Sequence, residues 1–321
     1  SMNNKIRIIP LGGCGEIGKN MTAIEYNDEI VVVDAGIMFP QNDMLGVDAI
    51  IPDYQYLMDK LDNIVAVLIT HGHEDHVGAL PHVMRDINAP IYATPLTIGL
   101  IDVKMRRAGL NKEIELITIE AGDTFTVGQH FTIEPFHVPH SIPDCVGFGI
   151  TTPAGLIVHT GDYKFDHTPA DGWPPDFAKL AEFSQRGVLC LLADSTNADR
   201  PGWTKSEKEI EVAFDKMFRD APGRIIVASF ASLISRIQLV ADTAKKYERY
   251  LAITGRSMRD NTKMAMELGY LDIDEATLID ISDISSLPAH RVVNMATGSQ
   301  GEPSAVMGRL ARGNHNRLQI E

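Results

Sequence analysis

Cysteine is scarce in this chain of 321 residues, which has three cysteines, two tryptophans and an aromatic content of 7%. Cys14, Cys145 and Cys190 lie far apart, so neither a disulfide framework nor a paired-cysteine metal site is predicted. No apolar run approaches the ~18 residues that span a bilayer, and no secretory leader follows Ser1 and Met2, which resemble an expression remnant. These absences favour a cytoplasmic protein in a reducing compartment.

Positively charged residues are also few: the chain has 29 Lys and Arg residues and 43 Asp and Glu residues, which gives a net charge of −14. The charge is uneven: residues 1–199 sum to −15, residues 200–263 to +5 and residues 264–321 to −4. An RNA-binding path needs only a local basic stripe. The composition therefore excludes only a uniformly basic nucleic-acid binder, and its 44% apolar and 22% charged residues are typical of a globular enzyme of about two domains.

Short apolar runs ended by Gly, Pro or Asn predict β-strands in the first half of the chain. These strands cover 6–11, 20–26, 30–34, 64–70, 91–93, 131–138 and 156–160. Helices are predicted at 76–85, 96–108, 207–218, 233–247 and 261–268. Beyond residue 200 the helices alternate with predicted strands at 224–229 and 250–254, a spacing that predicts a small parallel sheet.

A glycine pattern at residues 13–18 matches GxGxxG, the fingerprint of a dinucleotide-binding turn. That fold requires a helix directly after the glycines, so that its N-terminus can hold a pyrophosphate. Residues 20–26 instead predict a strand. We therefore interpret the glycines as a tight turn between strands.

The strongest chemical signal is the segment Thr70–His76, which reads T-H-G-H-E-D-H and follows a buried strand. It offers His71, His73, Asp75 and His76 as ligands within six residues, and imidazole and carboxylate groups suit Zn²⁺ and Mn²⁺. In a turn, His71 and His73 can face one ion while Asp75 and His76 face a second. Two ions about 3.5–4 Å apart form a clamp used in phosphoester hydrolysis.

Four other polar residues also lie at predicted strand ends. His140 and Asp162 follow strands and are predicted to complete the ligand set, with Asp162 bridging the ions. Asp34 is predicted to orient a ligand histidine, and His159 is a further candidate for such support. Because the histidine segment, His140 and Asp162 each come where a strand ends, we expect the six ligands to converge on one sheet edge.

Several segments, taken with the histidine cluster, resemble the bacterial ribonuclease J family, a β-CASP branch of the metallo-β-lactamase fold. The segments are Leu11–Asn20, Asp34–Gly36, His71–His76, His140–Asp144, Gly161–Asp166, Asp194–Asn197, Gly255–Ser257 and Thr297–Pro303. The resemblance runs from about Ile6 to the end of the chain and matches the N-terminal portion of the family.

The resemblance implies an α/β architecture: a metallo-β-lactamase αββα sandwich in residues 3–203 and an inserted β-CASP parallel α/β domain in residues 204–321. The β-CASP domain is expected to be incomplete at its C-terminus, with the later lactamase strands and a C-terminal domain absent. The implied function is 5′→3′ exonuclease and endonuclease action on RNA, with preference for a 5′-monophosphate, in rRNA processing and RNA decay. The implied cofactor is zinc, two ions per complete site, or manganese. The full-length protein is expected to form a homodimer or homotetramer, with no membrane partner.

The family's site residues carry over to positions of this chain that match its motifs. The ligands are His71, His73 and His140 for one ion, Asp75 and His76 for the other, and Asp162 between them. Asp75 and Asp194 are the implied catalytic carboxylates, with Asp194 donating a proton or orienting the attacking water. The implied mechanism is in-line attack of a metal-bridging hydroxide on the phosphodiester. Arg236, Arg256 and Ser257 are the predicted RNA contacts.

Two departures from the family pattern affect these expectations. Leu233 and Ser235 stand where the family usually has Asn and His, which alters one predicted RNA contact. Further family motifs would come after Glu321, so this chain alone is predicted to be weakly active or inactive. Two alternatives stay open: a small-molecule hydrolase of the same fold, such as a thioesterase or lactonase, and an inactive RNA-binding paralogue. The basic segment 200–263 argues against the first, and the retained ligand set against the second.

Overall fold

The computed structural model describes residues 5–13, 18–38, 49–138, 144–161, 176–192, 207–229 and 231–296. The chain divides into two compact units. The first comprises Ser1–His167 and Trp173–Trp203, and the second Thr168–Gly172 and Thr204–Glu321. The assignment of residues 3–203 and 204–321 to two named domains stays a prediction.

The first unit contains two β-sheets. The strands of the first sheet, in spatial order, are β1 (Ile6–Gly12), β2 (Met21–Tyr26), β3 (Glu29–Val33), β4 (Ile64–Leu68), β5 (Ile91–Ala93) and β6 (Leu116–Thr118). Strands β1 to β3 pair antiparallel and β3 to β6 parallel. The second sheet is formed by β7 (Phe125–Val127), β8 (Phe131–His137), β9 (Val146–Thr152), β10 (Gly155–His159) and β11 (Val188–Leu192). Its pairs are antiparallel except for β10 with β11.

Five α-helices belong to the described part of the first unit. They are α1 (Gln55–Met58), α2 (Glu74–Val77), α3 (Leu80–Val83), α4 (Pro95–Arg107) and α5 (Phe177–Arg186), with a 3₁₀ turn at Leu61–Asn63. Within the described ranges of the whole chain, no helix combines the length and apolarity that a bilayer crossing requires.

The two sheets pack face to face, and helices cover their outer faces. Strand β3 shows how the sequence produces this arrangement, since all five of its residues are buried. Ile30 and Val32 pack with the helices on one side, whereas Val31 and Val33 pack against the second sheet. A strand covered on both faces has a continuous apolar sequence. Helix α5 covers the other outer face through Phe183, so the predicted αββα sandwich is confirmed.

The second unit is a parallel α/β layer structure. Its elements are α6 (Glu207–Asp220), β12 (Ile225–Ala228), α7 (Ile234–Lys246), β13 (Tyr250–Thr254), α8 (Arg256–Glu267), β14 (Leu278–Ile279) and β15 (Val292–Ala296), with 3₁₀ turns at Ile281–Ser286 and Ala289–Arg291. The sheet order is β12-β15-β13-β14, and every pair is parallel. The small parallel sheet predicted beyond residue 200 is therefore confirmed.

Three local predictions can be compared with the elements. The helix predicted at 76–85 was wrong as a single element, because Pro81 lies at the start of α3 and cannot continue a preceding helix. The helix predicted at 261–268 begins earlier, at Arg256, because Gly255 at φ 106° lets the chain turn directly out of β13. The strand predicted at 20–26 is confirmed as β2, which excludes the helix that a dinucleotide site requires.

Candidate metal centre

Asp34 and Thr70 meet at one edge of the first sheet because they follow β3 and β4, which run parallel and pair Val33 with Leu68. Asp34 has a left-handed backbone, φ 63°, and its amide donates to Leu68 O at 2.9 Å. Its side chain is buried, so the carboxylate needs several hydrogen-bond donors to offset the loss of water.

The Asp34 carboxylate accepts three hydrogen bonds from the histidine segment. Thr70 N donates to Oδ1 at 2.9 Å, Thr70 Oγ1 donates to Oδ2 at 2.9 Å, and His76 Nδ1 lies 2.7 Å from Oδ2. An ionised carboxylate only accepts, so Nδ1 of His76 carries the hydrogen. The lone pair of neutral His76 is therefore on Nε2, the nitrogen that a metal ion would use.

The same carboxylate fixes the tautomer of His71 through Thr70. The hydroxyl of Thr70 has one hydrogen, which goes to Asp34, so its 3.1 Å contact with His71 Nδ1 requires the imidazole to donate. The lone pair of His71 is therefore also on Nε2. One buried carboxylate thus prepares two histidines as metal ligands.

His71, Asp75 and His76 form a group of potential ligands whose donor atoms all lie within 4.8 Å of one another. The rings of His71 and His76 are 4.1 Å apart between centroids, and Asp75 Oδ2 lies 3.5 Å from His76 Nε2. Two imidazole nitrogens and one carboxylate are a donor set that Zn²⁺ accepts and that Mn²⁺ tolerates. The residues present therefore fit a divalent metal ion.

His73 lies next to this group, with its ring 4.9 Å from the His71 ring at an interplanar angle of 75°. Its backbone carbonyl accepts the amides of His76 and Val77, so His73 is also the N-cap residue of α2. The structure thus brings His71 together with Asp75 and His76, whereas the family pattern assigns His71 and His73 to a common ion. The division of these ligands between two ions stays a prediction.

The predicted site residues His140, Asp162 and Asp194 lie outside the described residues. Two described segments that adjoin the loops of His140 and Asp162 contact Thr70. Val146 N donates to Thr70 O at 2.9 Å, and a Cβ on Gly161 would lie 3.0 Å from Thr70 Cβ. His159, at the end of β10, accepts the amide of Gly161 on Nδ1 at 3.0 Å. Segments adjoining both predicted ligand loops therefore reach the histidine turn.

Sequence reasoning missed three residues that contact this turn. The Asn20 side chain donates to Asp75 O, the Thr70 hydroxyl links Asp34 with His71, and Lys104 binds the Glu74 carboxylate at 2.7 and 2.9 Å. For Thr70 the signal was its place directly before the first histidine. Asn20 ends one of the family segments, but nothing local marks its contact or that of Lys104, because these residues lie 55 and 30 positions from their partners.

The predicted RNA contacts lie in the second unit, near the carboxyl ends of its parallel strands. Arg256 is the exposed first residue of α8, and Ser257 follows it, half-buried. Arg236, in the first turns of α7, lies over the Phe214 ring, with its guanidinium carbon 5.5 Å from the ring centroid. The sequence predicts the same role, an RNA contact, for both arginines. The structure shows in addition that Arg236 packs on α6, to which Phe214 belongs.

Two domain profiles match the chain. One, a beta-lactamase superfamily domain, covers residues 29–173, and the other, a ribonuclease J beta-CASP domain, covers residues 222–321. A crystal structure of a protein of unknown function from Enterococcus faecalis V583 has a TM-score of 0.64, at 16% identity, over 92% of this chain and 78% of that one. At that identity the likeness concerns the fold alone.

Curated relatives cover nearly the whole chain. Ribonuclease J 1 of Streptococcus pyogenes serotype M3 is 45% identical over 99% of this chain and 56% of its own length. Ribonuclease J of Thermus thermophilus is 46% identical over 98% of this chain and 56% of its own length. Ribonuclease J2 of Bacillus subtilis is 40% identical over 98% and 57%, respectively. The chain thus spans little more than half the length of these relatives, and it belongs to the ribonuclease J family of β-CASP proteins with the metallo-β-lactamase fold.

Proposed function

We propose that the full protein is a metal-dependent ribonuclease that cleaves RNA phosphodiester bonds. The observation that carries the proposal is the buried Asp34 carboxylate, which orients His71 and His76 so that both Nε2 lone pairs are ready for a metal ion beside Asp75. A purely structural cluster has no need of two histidines held in the same metal-binding tautomer. The family relatives supply the substrate class, since each is named a ribonuclease.

The described residues support hydrolysis by binding and orientation. Divalent ions, when bound, supply Lewis-acid stabilisation of the phosphate charge and lower the pKa of a water molecule. Asp34 holds His76 in place, and Thr70 does the same for His71. We further propose zinc, or manganese, as the metal, His73, His140 and Asp162 as additional ligands, and Asp194 as the proton donor or water-orienting group.

The proposed cleavage mode and substrate preference are based on the resemblance to the ribonuclease J family. We propose 5′→3′ exonuclease and endonuclease action, with preference for a 5′-monophosphate, in rRNA processing and decay in the cytoplasm. Arg256 and Ser257 open a helix of the second unit, where backbone amides and a cation favour phosphate. Arg236 is proposed as a further contact, and a homodimer or homotetramer as the assembly of the full-length protein.

A cleavage assay on the full-length protein tests this function. Linear RNA with a 5′-monophosphate, the same RNA with a 5′-triphosphate, and a circular RNA without ends separate exonuclease from endonuclease action. We expect cleavage that requires added Zn²⁺ or Mn²⁺ and is fastest on the monophosphate. His76→Ala should lower the rate at least about 100-fold, because it removes both a ligand and the partner of Asp34.

His290→Ala is the matched control, because His290 is an exposed histidine of the second unit and should leave the rate unchanged. RNA cleavage that is equal in the His76→Ala variant and the wild type would contradict the proposal. Turnover of thioesters or lactones without RNA cleavage would favour the small-molecule hydrolase, and RNA binding without any turnover the inactive paralogue.

A further inference from the structure

Three successive backbone carbonyls of the ligand turn are held by hydrogen bonds from outside the turn. Helix α2 has four residues, so its carbonyls depend largely on partners outside it, although Glu74 O also accepts the amide of the C-cap residue Gly78 at 2.8 Å. Glu74 O accepts the amide of Ile37 at 3.0 Å, and His76 O accepts the amide of Ala35 at 2.8 Å. The carbonyl between them, on the candidate ligand Asp75, is held by Asn20.

Asn20 donates two hydrogen bonds to the backbone carbonyl of Asp75. Its backbone amide and its side-chain Nδ2 each donate to Asp75 O at 3.0 Å, so the two lone pairs of that oxygen are used. The Asn20 carbonyl accepts the amide of Gly36 at 2.9 Å. A Cβ on Gly36 would lie 1.6 Å from Asp75 O, so the absence of a side chain there lets the chain pass close beneath the turn.

The side-chain amide of Asn20 also faces a nitrogen of a candidate ligand, His76. Nδ2 lies 3.3 Å from His76 Nε2, which is an acceptor because Nδ1 donates to Asp34. A metal ion at Nε2 would take over that lone pair, whereas the bonds to Asp75 O involve no ligand atom. The side-chain bond to Asp75 O, at 3.0 Å, is also shorter than the 3.3 Å contact with His76, so we expect the loss of support for the turn to outweigh the loss of competition for Nε2.

We propose that Asn20 is a positioning residue for the metal centre, which holds Asp75 and His76 in the ligand arrangement before an ion binds. The inference rests on the proposed metal-dependent function. A turn that is already in its binding shape loses less conformational entropy when the ion binds. Loss of the Asn20 side chain should therefore weaken metal binding without removing any ligand.

The test is a Zn²⁺ titration of the full-length protein in competition with a chromogenic chelator. Asn20→Ala and the near-isosteric Asn20→Leu both keep the backbone bond to Asp75 O and lose the side-chain donor. We expect about a tenfold weaker Zn²⁺ affinity in both variants, within the range known for groups that support metal ligands. At saturating Zn²⁺, RNA cleavage should recover most of its wild-type rate.

Lys60→Met serves as the control, because Lys60 bonds Glu25 and Tyr56 in the same unit and its loss should lower stability but leave Zn²⁺ affinity unchanged. Thermal unfolding of the metal-free proteins shows whether each variant folds. Wild-type Zn²⁺ affinity in both folded Asn20 variants would overturn the inference while leaving the proposed function intact. If the Asn20→Ala variant does not fold, the Asn20→Leu variant decides. Absence of Zn²⁺ and Mn²⁺ binding by the wild type would instead refute the proposed function.

Discussion

At the scale of single residues, Asp34 is the group on which the candidate metal centre depends. It lies outside the histidine motif, yet it accepts hydrogen bonds from Thr70 and His76 and determines which nitrogen carries the lone pair in His71 and in His76. Its left-handed backbone, at φ 63°, is uncommon for a residue other than glycine. Strain of this kind persists where the surrounding contacts fix it.

Asp34→Asn should weaken Zn²⁺ binding about 10- to 100-fold, because an amide has one acceptor oxygen where the carboxylate has two. At the Oδ1 position the amide nitrogen would face the Thr70 amide, which is also a donor. At the Oδ2 position it would face both the Thr70 hydroxyl and His76 Nδ1, and the histidine tautomers would no longer be fixed. Zn²⁺ titration by chelator competition checks this expectation. Asp86→Asn is a suitable control, because the Asp86 carboxylate accepts the hydroxyl of Tyr54 rather than a group of the histidine segment. Equal affinities in the two variants would refute the role given to Asp34.

Individual residues of the candidate sites differ in how far the sequence alone could predict their roles. The spacing of His71, Asp75 and His76 predicts a metal site from the sequence alone, because few other uses explain so many ligands in one turn. Asn20 could not be predicted, since its partner Asp75 is 55 positions away and nothing local marks the contact. Arg236 was predicted from its charge and position, but its packing over Phe214 depends on how α6 and α7 meet.

At the scale of elements, α5 is held on the second sheet by charge as well as by apolar packing. The buried Glu134 of β8 binds Lys179 at 2.9 Å and Arg186 at 2.8 Å. Burial alone would raise the pKa of Glu134, but the hydrogen bonds and charges of Arg186 and Lys179 outweigh burial and lower that pKa. Phe183 of α5 packs edge-to-face on Phe136, with ring centroids 5.7 Å apart.

Glu134→Gln should lower the free energy of unfolding by about 1.5–3 kcal/mol at neutral pH, as expected for charged hydrogen bonds. The pKa of Glu134 is lower in the folded state than in the unfolded state, so its contribution is present above the ordinary value of 4.5. The contribution is lost as pH falls through the folded-state pKa. Urea unfolding of the wild type and the variant at pH 7 and at acidic pH measures this difference.

Glu182→Gln is the matched control for this prediction, because Glu182 contacts the same Lys179 and Arg186 from a position half exposed to solvent. An exposed ion pair contributes about 0–1 kcal/mol, so the control should change stability little. A difference between the wild type and Glu134→Gln that stays constant from pH 7 to acidic pH would contradict the account of α5.

Elements were predictable where local pattern and tertiary packing agree. Strand β13 was predicted with its observed bounds, because its short apolar run is limited by Arg249 on one side and Gly255 on the other. Strand β9 was not predicted, because Gly147 and Gly149 interrupt its apolar pattern. Those glycines leave room for aromatic rings: a Cβ at Gly147 would lie 2.5 Å from the Phe136 ring, and one at Gly149 would lie 2.4 Å from a ring of α5. The reason for these glycines is a tertiary contact, so strand β9 could not be predicted from the local sequence pattern.

At the scale of the whole molecule, the net charge of −14 does not conflict with an RNA substrate. Part of the acidity serves the candidate metal centre, where Asp34 and Asp75 lie beside two histidines. The net-positive stretch, residues 200–263, includes α7 and the start of α8, on which the proposed RNA contacts lie. The distribution of charge is therefore more informative than its sum.

The metal content of the purified full-length protein tests the central claim most directly. The account predicts that the wild type retains Zn²⁺ or Mn²⁺ after dialysis, measured by plasma mass spectrometry, and that His76→Ala loses most of it while His290→Ala does not. Bound metal should also raise the unfolding temperature of the wild type, because an ion that binds only the folded state stabilises it. Equal metal content in the wild type and His76→Ala, or none in either after loading with both metals, would contradict the account.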